Sequence, residues 1–357
     1  MKILVLANND VGLYKFRKEL LAELHKDHEI VLALPYGDFV KCFIASGYRY
    51  IDTEFERRGR NPFKDLALLR TYLHIIRTES PNVVLTYTIK PNIYGGIVAR
   101  LLGKNYATNI TGLGTAFEEP GFVRDCVICL YRIALKRAKV VFFENESNQE
   151  AFLQNHLIQK HQACLLSGAG VNLDEYTLQE YPDNPIFQFL FMGRIMKEKG
   201  VEELFSVMRR LNRDGLACNL DVLGGFEEQY EGLIKQYQTD GWLSYYGYQP
   251  DVRPYIQRCD CFVLPSWHEG MANTNLECAA SGRPIITSDI PGCREAVIDR
   301  VSGFVCEAKN EESLYQAMKR MLEVPKKDRI QMGIAGREHM ESRFNRRIIV
   351  EETLNHL

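Results

Sequence analysis

The 357-residue sequence has no uninterrupted apolar run of the ~18 residues that a membrane-spanning helix needs. Met1-Lys2 leads straight into the apolar stretch Ile3–Ala7, without the charged, apolar and small-residue layout of a secretory leader. A cytoplasmic chain is therefore expected. An excess of either charge is also missing: 44 Lys and Arg face 46 Asp and Glu, for a formal net charge of −2. With no nucleic-acid recognition motif, that balance sets nucleic acid aside as a partner. Ten cysteines are present but not in metal spacing. Cys126 and Cys129 form one C-x-x-C and Cys259 and Cys261 one C-x-C, with no second pair at zinc-ribbon distance and no suitably placed histidines. Cys126, Cys129, Cys261 and Cys278 fall on apolar helix or strand faces, so buried, reduced thiols are expected. A complete G-x-G-x-x-G is absent too: Gly112-Leu-Gly114 runs on to Phe117 where the third glycine belongs, and it does not follow the first strand, which argues against a nicotinamide cofactor.

What is present is an ordinary globular composition, 46% hydrophobic and 25% charged, in a chain longer than one core usually serves. Two α/β domains follow from the near-continuous alternation of strand and helix patterns. Strands are expected at Ile3–Ala7, Ile30–Leu34, Val83–Tyr87, Ala107–Ile110, Val140–Phe143 and Cys164–Leu166. Helices are expected at Tyr14–His25, Phe63–Thr78, Asn92–Leu102, Phe122–Arg137 and Ser147–His156. The pattern restarts at Phe187, with strands near Leu220–Leu223, Leu243–Tyr246, Cys261–Leu264, Ile285–Thr287 and Phe304–Val305. The divisions are thus 1–172 for the first domain, 173–185 for an aperiodic linker rich in Asp, Glu, Tyr and Pro, and 186–343 for the second domain. A last helical segment occupies 344–357.

Two segments of the second domain carry chemistry. In C-F-V-L-P-S-W-H-E-G-M-A-N-T-N-L-E the strand Cys261–Leu264 stops at Pro265-Ser266, turns through Glu269-Gly270 and enters a helix over Asn273–Ala280. Strand, glycine turn and helix N-terminus together form a phosphate-holding arrangement. A bare Glu269 there would repel phosphate, so its expected partner is a hydroxyl-bearing group attached to the phosphate. Glu277, two helical turns on, is placed to accept from a second diol. Upstream, the strand Phe187–Met192 ends at Gly193-Arg194, and Lys199-Gly200 precedes the helix opened by Val201. Arg194 and Lys199 thus reach the same strand ends with the charge a diphosphate requires. Taken singly, either cation reads first as a solvated loop charge; together with the glutamate segment they read as a diphosphate pair.

The pair G-R-I-M-K-E-K-G and E-G-M-A-N-T-N-L-E, followed by S-G-R-P-I-I-T-S-D-I-P-G-C-R-E and S-G-F, resembles family 4 (group 1) of the retaining glycosyltransferases. The first half, with Y-T-I-K-P-N-I-Y-G-G, N-I-T-G-L-G-T-A-F and F-F-E-N-E-S-N, is most similar to enzymes of capsule, O-antigen and lipid-linked oligosaccharide assembly. The resemblance implies a GT-B fold: two Rossmann-like, doubly wound parallel-sheet domains facing a central cleft, with the final helix crossing back to the first domain. It implies catalytic roles for Arg194, Lys199 and Glu269. Gly193, Tyr248, Gly270, Met271, Ala272, Asn273, Thr274 and Glu277 would bind the donor, with Glu277 on the ribose diol and Tyr248 lining the base pocket. The acceptor side would hold Gly12, Lys90, Asn92, Thr111, Gly112 and Gly114. The single Gly12 replaces the richer glycine turn of many members, and the Gly112–Gly114 turn serves equally as a plain tight turn.

The implied reaction moves a hexose or N-acetylhexosamine from a nucleoside diphosphate sugar, with a lean toward uridine, to a hydroxyl of a glycan, with retention and without metal or other cofactor. Charge is lopsided: Met1–Asn172 holds 22 Lys and Arg against 17 Asp and Glu, the remainder 22 against 29. The excess gathers at Arg57, Arg58, Arg60 and Lys64, and at Arg124, Arg132, Lys136, Arg137 and Lys139. Such faces suit a lipid-linked diphosphate acceptor and the cytoplasmic face of a membrane, or are merely solvated. Two other functions use the same donor motifs: a nucleotide-sugar epimerase of similar build, and a catalytically silent nucleotide-sugar-binding scaffold subunit.

Overall fold

The computed structural model describes residues 1–53, 61–113 and 121–357. The chain divides into two compact units, Met1–Ala169 with Arg347–Leu357, and Gly170–Arg346. In the first, the described strands are β1 (Lys2–Leu6), β2 (Glu29–Leu34), β3 (Arg49–Asp52), β4 (Val83–Tyr87), β5 (Asn105–Ile110), β6 (Val140–Phe143) and β7 (Ala163–Leu165), all paired in parallel in the order β3-β2-β1-β4-β5-β6-β7. The second holds β8 (Phe187–Met192), β9 (Cys218–Leu223), β10 (Leu243–Gly247), β11 (Cys261–Leu264), β12 (Ile285–Ser288) and β13 (Gly303–Cys306), in the order β10-β9-β8-β11-β12-β13. Strands buried on both faces need apolar side chains at every position, which is why F-L-F-M, C-F-V-L and V-V-F-F read as unbroken apolar runs.

Alternate residues of the first sheet feed two cores. Leu4, Leu6, Val31, Val84 and Val141 pack with Tyr72, Ile76 and Tyr131 on one face; Ile3, Val5, Leu32, Leu85 and Phe142 pack with Leu13, Leu20 and Leu21 on the other. Ile349 and Val350 of the helix Arg346–His356 join the second of these cores. The segment 173–185, read as a linker, contains no helix or strand and is bonded to the second unit. Tyr181 donates to the Asp260 carbonyl at 2.8 Å, and the fully buried Arg283 donates to the carbonyls of Gln179, Glu180, Ile256 and Gln257.

Several sequence expectations need correction. The first helix begins at Asp10 rather than Tyr14, because Asn9 caps it by accepting from the Gly12 N–H at 2.7 Å. Asn92–Leu102 is a π-turn, Pro91–Gly95, running into a short α-helix, Gly96–Leu101. β3 and the helix Val40–Ala45 were not anticipated; β3 is an edge strand, R-Y-I-D, half of whose residues carry charge. Cys129 is exposed and Cys126 only half-buried, since both lie toward the outer side of the helix Phe122–Leu135; Cys261 and Cys278 are buried as expected.

A buried ion pair fixes the first helix to the exit of β6. Arg17 Nη2 lies 2.7 Å from Glu144 Oε1, and its guanidinium sits over the Tyr87 ring at the end of β4. Burial pushes the Glu144 carboxyl above its ordinary range, while Arg17 beside it pulls the other way. Replacing Arg17 by Met leaves only the upward push. The native carboxyl then holds its proton more tightly than the unfolded one, so stability falls as pH rises through its range. We expect Arg17→Met to cost on the order of 3 kcal/mol at pH 8 and clearly less at pH 5. Urea midpoints of both proteins at the two pH values measure this, and a loss independent of pH would contradict it.

Candidate active site

In the second unit the chain leaves β8 toward β9 on one side and β11 toward β12 on the other, so the crevice at their carboxyl ends is the topological switch point of that sheet. The two exits carry the motifs found in the sequence. From β8 come Gly193, Arg194 and the short turn Lys197–Lys199; from β11 come Pro265 to Gly270. The exits are laced together by the Trp267 N–H, which donates to the Glu198 carbonyl at 2.8 Å. Gly200 makes the approach possible: its φ is +69°, and a Cβ there would stand 2.1 Å from the Pro265 carbonyl oxygen. No other residue fits both demands. The consequence is that Lys199 Nζ forms an ion pair with Glu269 Oε1, with side chains only 14% and 15% exposed.

This arrangement answers the electrostatic question posed by a carboxylate beside a phosphate site with a partner that differs from the expected one. Glu269 meets Lys199, which was assigned to the diphosphate. Arg194 stands more open, with Nη1 3.5 Å from Glu227 Oε1. The Gly193 N–H is taken by the Leu223 carbonyl at 3.0 Å. At the start of the helix Asn273–Ala280, Ala272 N–H donates to the Gly292 carbonyl, Asn273 N–H to Met271 and Asn275 N–H to Ala272. Met271 and Ala272 are buried, whereas Gly270, Asn273 and Thr274 are half-exposed. Asn273 Oδ1 is buried without a partner among the described residues, a polar atom suited to a ligand donor. Glu277 lies along the same helix, and its charge adds to the burial that pushes the Tyr176 phenol up. Tyr248, just past β10, is 57% exposed.

In the first unit the expected acceptor-side residues are placed as follows. Gly12 lies in the first helical turn with its N–H already used by Asn9. Lys90 is paired with Asp65 at 2.9 Å, so its charge is countered inside the fold. Asn92 is buried and donates to the Asn109 carbonyl at 2.8 Å, while its Oδ1 has no partner among the described residues. Thr111 and Gly112 follow β5 and are half-buried; Gly114, like Arg57, Arg58 and Arg60, lies outside the described residues. Thr88, at the exit of β4, has φ +73° and a buried hydroxyl without a partner among the described residues.

A family model for group 1 glycosyl transferases matches residues 179–339, and one for glycosyl transferase 4-like proteins matches residues 2–145. The chain belongs to the group 1 glycosyltransferases. It is 26% identical over 341 residues, 90% of each chain, to the N,N'-diacetylbacillosaminyl-diphospho-undecaprenol alpha-1,3-N-acetylgalactosaminyltransferase of Campylobacter jejuni. It is also 26% identical over 284 residues, 74% of this chain and 72% of the other, to the UDP-Gal:alpha-D-GlcNAc-diphosphoundecaprenol alpha-1,3-galactosyltransferase of Escherichia coli. Among solved structures, Anabaena HepE in complex with UDP-glucose matches with a TM-score of 0.80 at 17% identity, covering 100% of both chains. The fold of the chain is GT-B.

Sequence reasoning missed the residues that hold this glycosyltransferase's motif residues in place. Trp267 donates from its indole nitrogen to Glu203 at 3.1 Å and stacks with Lys197 and Lys309. Glu227 and Tyr176 approach Arg194 and Glu277 from more than thirty and one hundred residues away in the chain. The rarity of tryptophan, with two in the chain, was the one available signal. Because Gly200 alone permits the contact at Pro265, Gly200→Ala should cost about 2 kcal/mol or more and displace Lys199 from Glu269. A melting temperature within a degree of wild type would show that the turn accommodates a side chain.

Proposed function

We propose that this glycosyltransferase moves a hexose or N-acetylhexosamine from a uridine diphosphate sugar to a hydroxyl of a glycan carried on a lipid diphosphate, with the anomeric configuration retained and without a metal ion, in surface polysaccharide assembly. The observation that carries the reading is the meeting of Lys199 and Glu269 at the switch point of the second unit, with Arg194 on the same strand exit as Lys199 and Glu277 about one turn into the adjoining helix. In this reading Arg194 and Lys199 counter the charge that develops on the departing diphosphate. A cation already held in place costs little reorganisation when that charge appears. Glu269 accepts from hydroxyls of the transferred sugar, Glu277 from the ribose, and the leaving phosphate takes the acceptor's proton on the same face. The Gly270–Thr274 segment bounds the phosphates.

The printed names of the relatives support the acceptor class, since the Campylobacter jejuni and Escherichia coli enzymes are both named for diphospho-undecaprenol substrates, and the second for UDP-Gal. The first unit supports a location at the bilayer surface. Phe63 and Phe122 are 82% and 83% exposed at the starts of two helices whose outer sides also carry exposed cations, Lys64 and Arg70 on the first and Arg132 on the second. No helix among the described residues is long and apolar enough to cross a membrane. Aromatic wedges beside cations suit peripheral contact with anionic lipid.

A thermal-shift screen of uridine, guanosine, adenosine and thymidine diphosphates and their sugars tests the donor assignment, because a ligand at ~100 times its dissociation constant stabilises by about 2.7 kcal/mol. We expect a shift with the uridine compounds that survives chelator. Lys199→Ala and Glu269→Ala should each lower turnover at least tenfold while the far-ultraviolet spectrum stays near wild type. Wild-type turnover in either variant would remove these residues from the mechanism.

A further inference from the structure

The chain leaves β12 through Ile290-Pro291-Gly292-Cys293 into the short turn Arg294–Ala296. Gly292 is buried, its φ is +84°, and a Cβ there would stand 2.5 Å from the Gly270 carbonyl oxygen and 2.7 Å from that of Glu269. Only glycine fits such an approach. The Gly292 carbonyl also accepts from the Ala272 N–H at 2.7 Å. Gly292 therefore meets the turn that leaves β11 in two places, against the carbonyls of Glu269 and Gly270 and at the N–H of Ala272. What holds Gly292 is Glu295, whose Oε2 accepts from the Gly292 N–H at 2.8 Å. Glu295 is fixed in turn by its own surroundings. The Ile290 carbonyl accepts from the Cys293 and Arg294 N–H groups at 3.1 Å, and His339 Nε2, on the helix Lys326–Arg343, lies 2.8 Å from the Glu295 carbonyl oxygen.

Resting on the donor-site reading above, we propose that Glu295 is a positioning residue for Glu269: its carboxylate fixes Gly292, and Gly292 fixes the peptide units that set where Glu269 stands. A peptide unit is planar and trans, so a carbonyl oxygen held against a neighbour fixes the orientation of the whole unit. The unit after Glu269 and the one after Gly270 are both held against Gly292 in this way. The path from Glu295 to Glu269 thus runs through main chain, and Glu295 needs no contact with a ligand. Removing its carboxylate leaves the buried Gly292 N–H without this acceptor, and a buried N–H that must find water draws its loop off the turn it supports. The charge of Glu295 is not needed for this role. Glutamine offers a carbonyl oxygen of the same reach, so Glu295→Gln keeps the hydrogen bond and Glu295→Ala removes it.

The experiment is titration calorimetry on the full chain, well below its melting temperature. The probe is whichever of UDP-glucose, UDP-galactose and their 2-acetamido forms binds wild type most tightly. Glu295→Ala should weaken that compound about tenfold, and Glu295→Gln less than about threefold. The decisive protein is the double variant. Because Glu295 acts by placing Glu269, its loss costs nothing further once Glu269 is replaced, so Glu295→Ala with Glu269→Ala should match Glu269→Ala alone within about threefold. Losses that multiply toward a hundredfold would mark Glu295 as part of the general packing, and Glu295→Gln as weak as Glu295→Ala would mean that its charge acts directly; either overturns the proposal, as does wild-type affinity in Glu295→Ala. Should Glu295→Ala not fold, Glu295→Asp, whose carboxylate stops one methylene short of Gly292, takes its place in the same set. Glu269→Ala separates this failure from that of the donor site. If Glu269→Ala weakens the compound and Glu295→Ala does not, only the role of Glu295 falls. If Glu269→Ala leaves the affinity unchanged, or no uridine diphosphate sugar binds wild type, the donor-site reading falls and takes this proposal with it.

Discussion

The candidate-site end of the second unit depends on one close backbone approach, that of Gly200 to the carbonyl of Pro265. β8 and β11 are neighbours in the sheet, which brings their exits within reach, but adjacency alone does not hold two loops in register. The missing side chain at Gly200 lets the turn Lys197–Lys199 settle onto the β11 exit, where the Glu198 carbonyl accepts from the Trp267 N–H and from Ser266 Oγ. Trp267 then ties that exit to the next helix through Glu203. The positions of Lys199 and Glu269 are thus set by backbone and indole contacts rather than by their own mutual attraction. A partly exposed ion pair by itself is worth too little to fix a loop.

A second constraint is the fully buried Arg283. Its guanidinium spends its donors on carbonyls of Ile256, Gln257, Gln179, Glu180 and Gly282. A buried cation is tolerated only when its donors are satisfied, and here satisfaction needs the aperiodic segment 179–180 in one place. Arg337 repeats the device at Tyr176 and Ala280. Two arginines therefore convert a stretch of chain without helix or strand into a fixed wall. Composition alone gave that stretch the look of a free linker, since acidic and proline residues mark exposed chain whether or not it is tied down.

How much was legible follows the same division between local and distant causes. β4, β6, β8, β11 and the helix Asn273–Ala280 could be read to the residue, because a strand covered on both faces shows a mostly apolar run that polar, proline or glycine residues close. The short charged edge strand β3 has no such run. The start of the first helix was misplaced because Gly12 suggested a loop, while the decisive group was the Asn9 side chain, which lies ahead of the first buried apolar position, Leu13. In the site, the identity of Arg194, Lys199, Glu269 and Glu277 came from short motifs that each sit on one strand exit or helix. Their partners did not. Lys199 and Glu269 are seventy residues apart, and only the contact at Gly200 turns two separate motifs into one pair.

That pairing bears on what kind of ligand the site selects under the proposed function. Arg194 and Lys199 bring two positive charges, but Glu227 and Glu269 stand against them, so the two strand exits hold paired charges at rest. A simple phosphate would have to draw the cations away and leave carboxylates without their counter-charges, one of them 15% exposed. A ligand that carries hydroxyls next to its phosphate escapes this penalty, because its hydroxyls donate to the carboxylates as its phosphate receives the cations. Binding becomes an exchange of partners for these four charged groups. The discrimination between a sugar diphosphate and free phosphate thus resides in the carboxylates, and the cations set how strongly whichever ligand meets that condition is held.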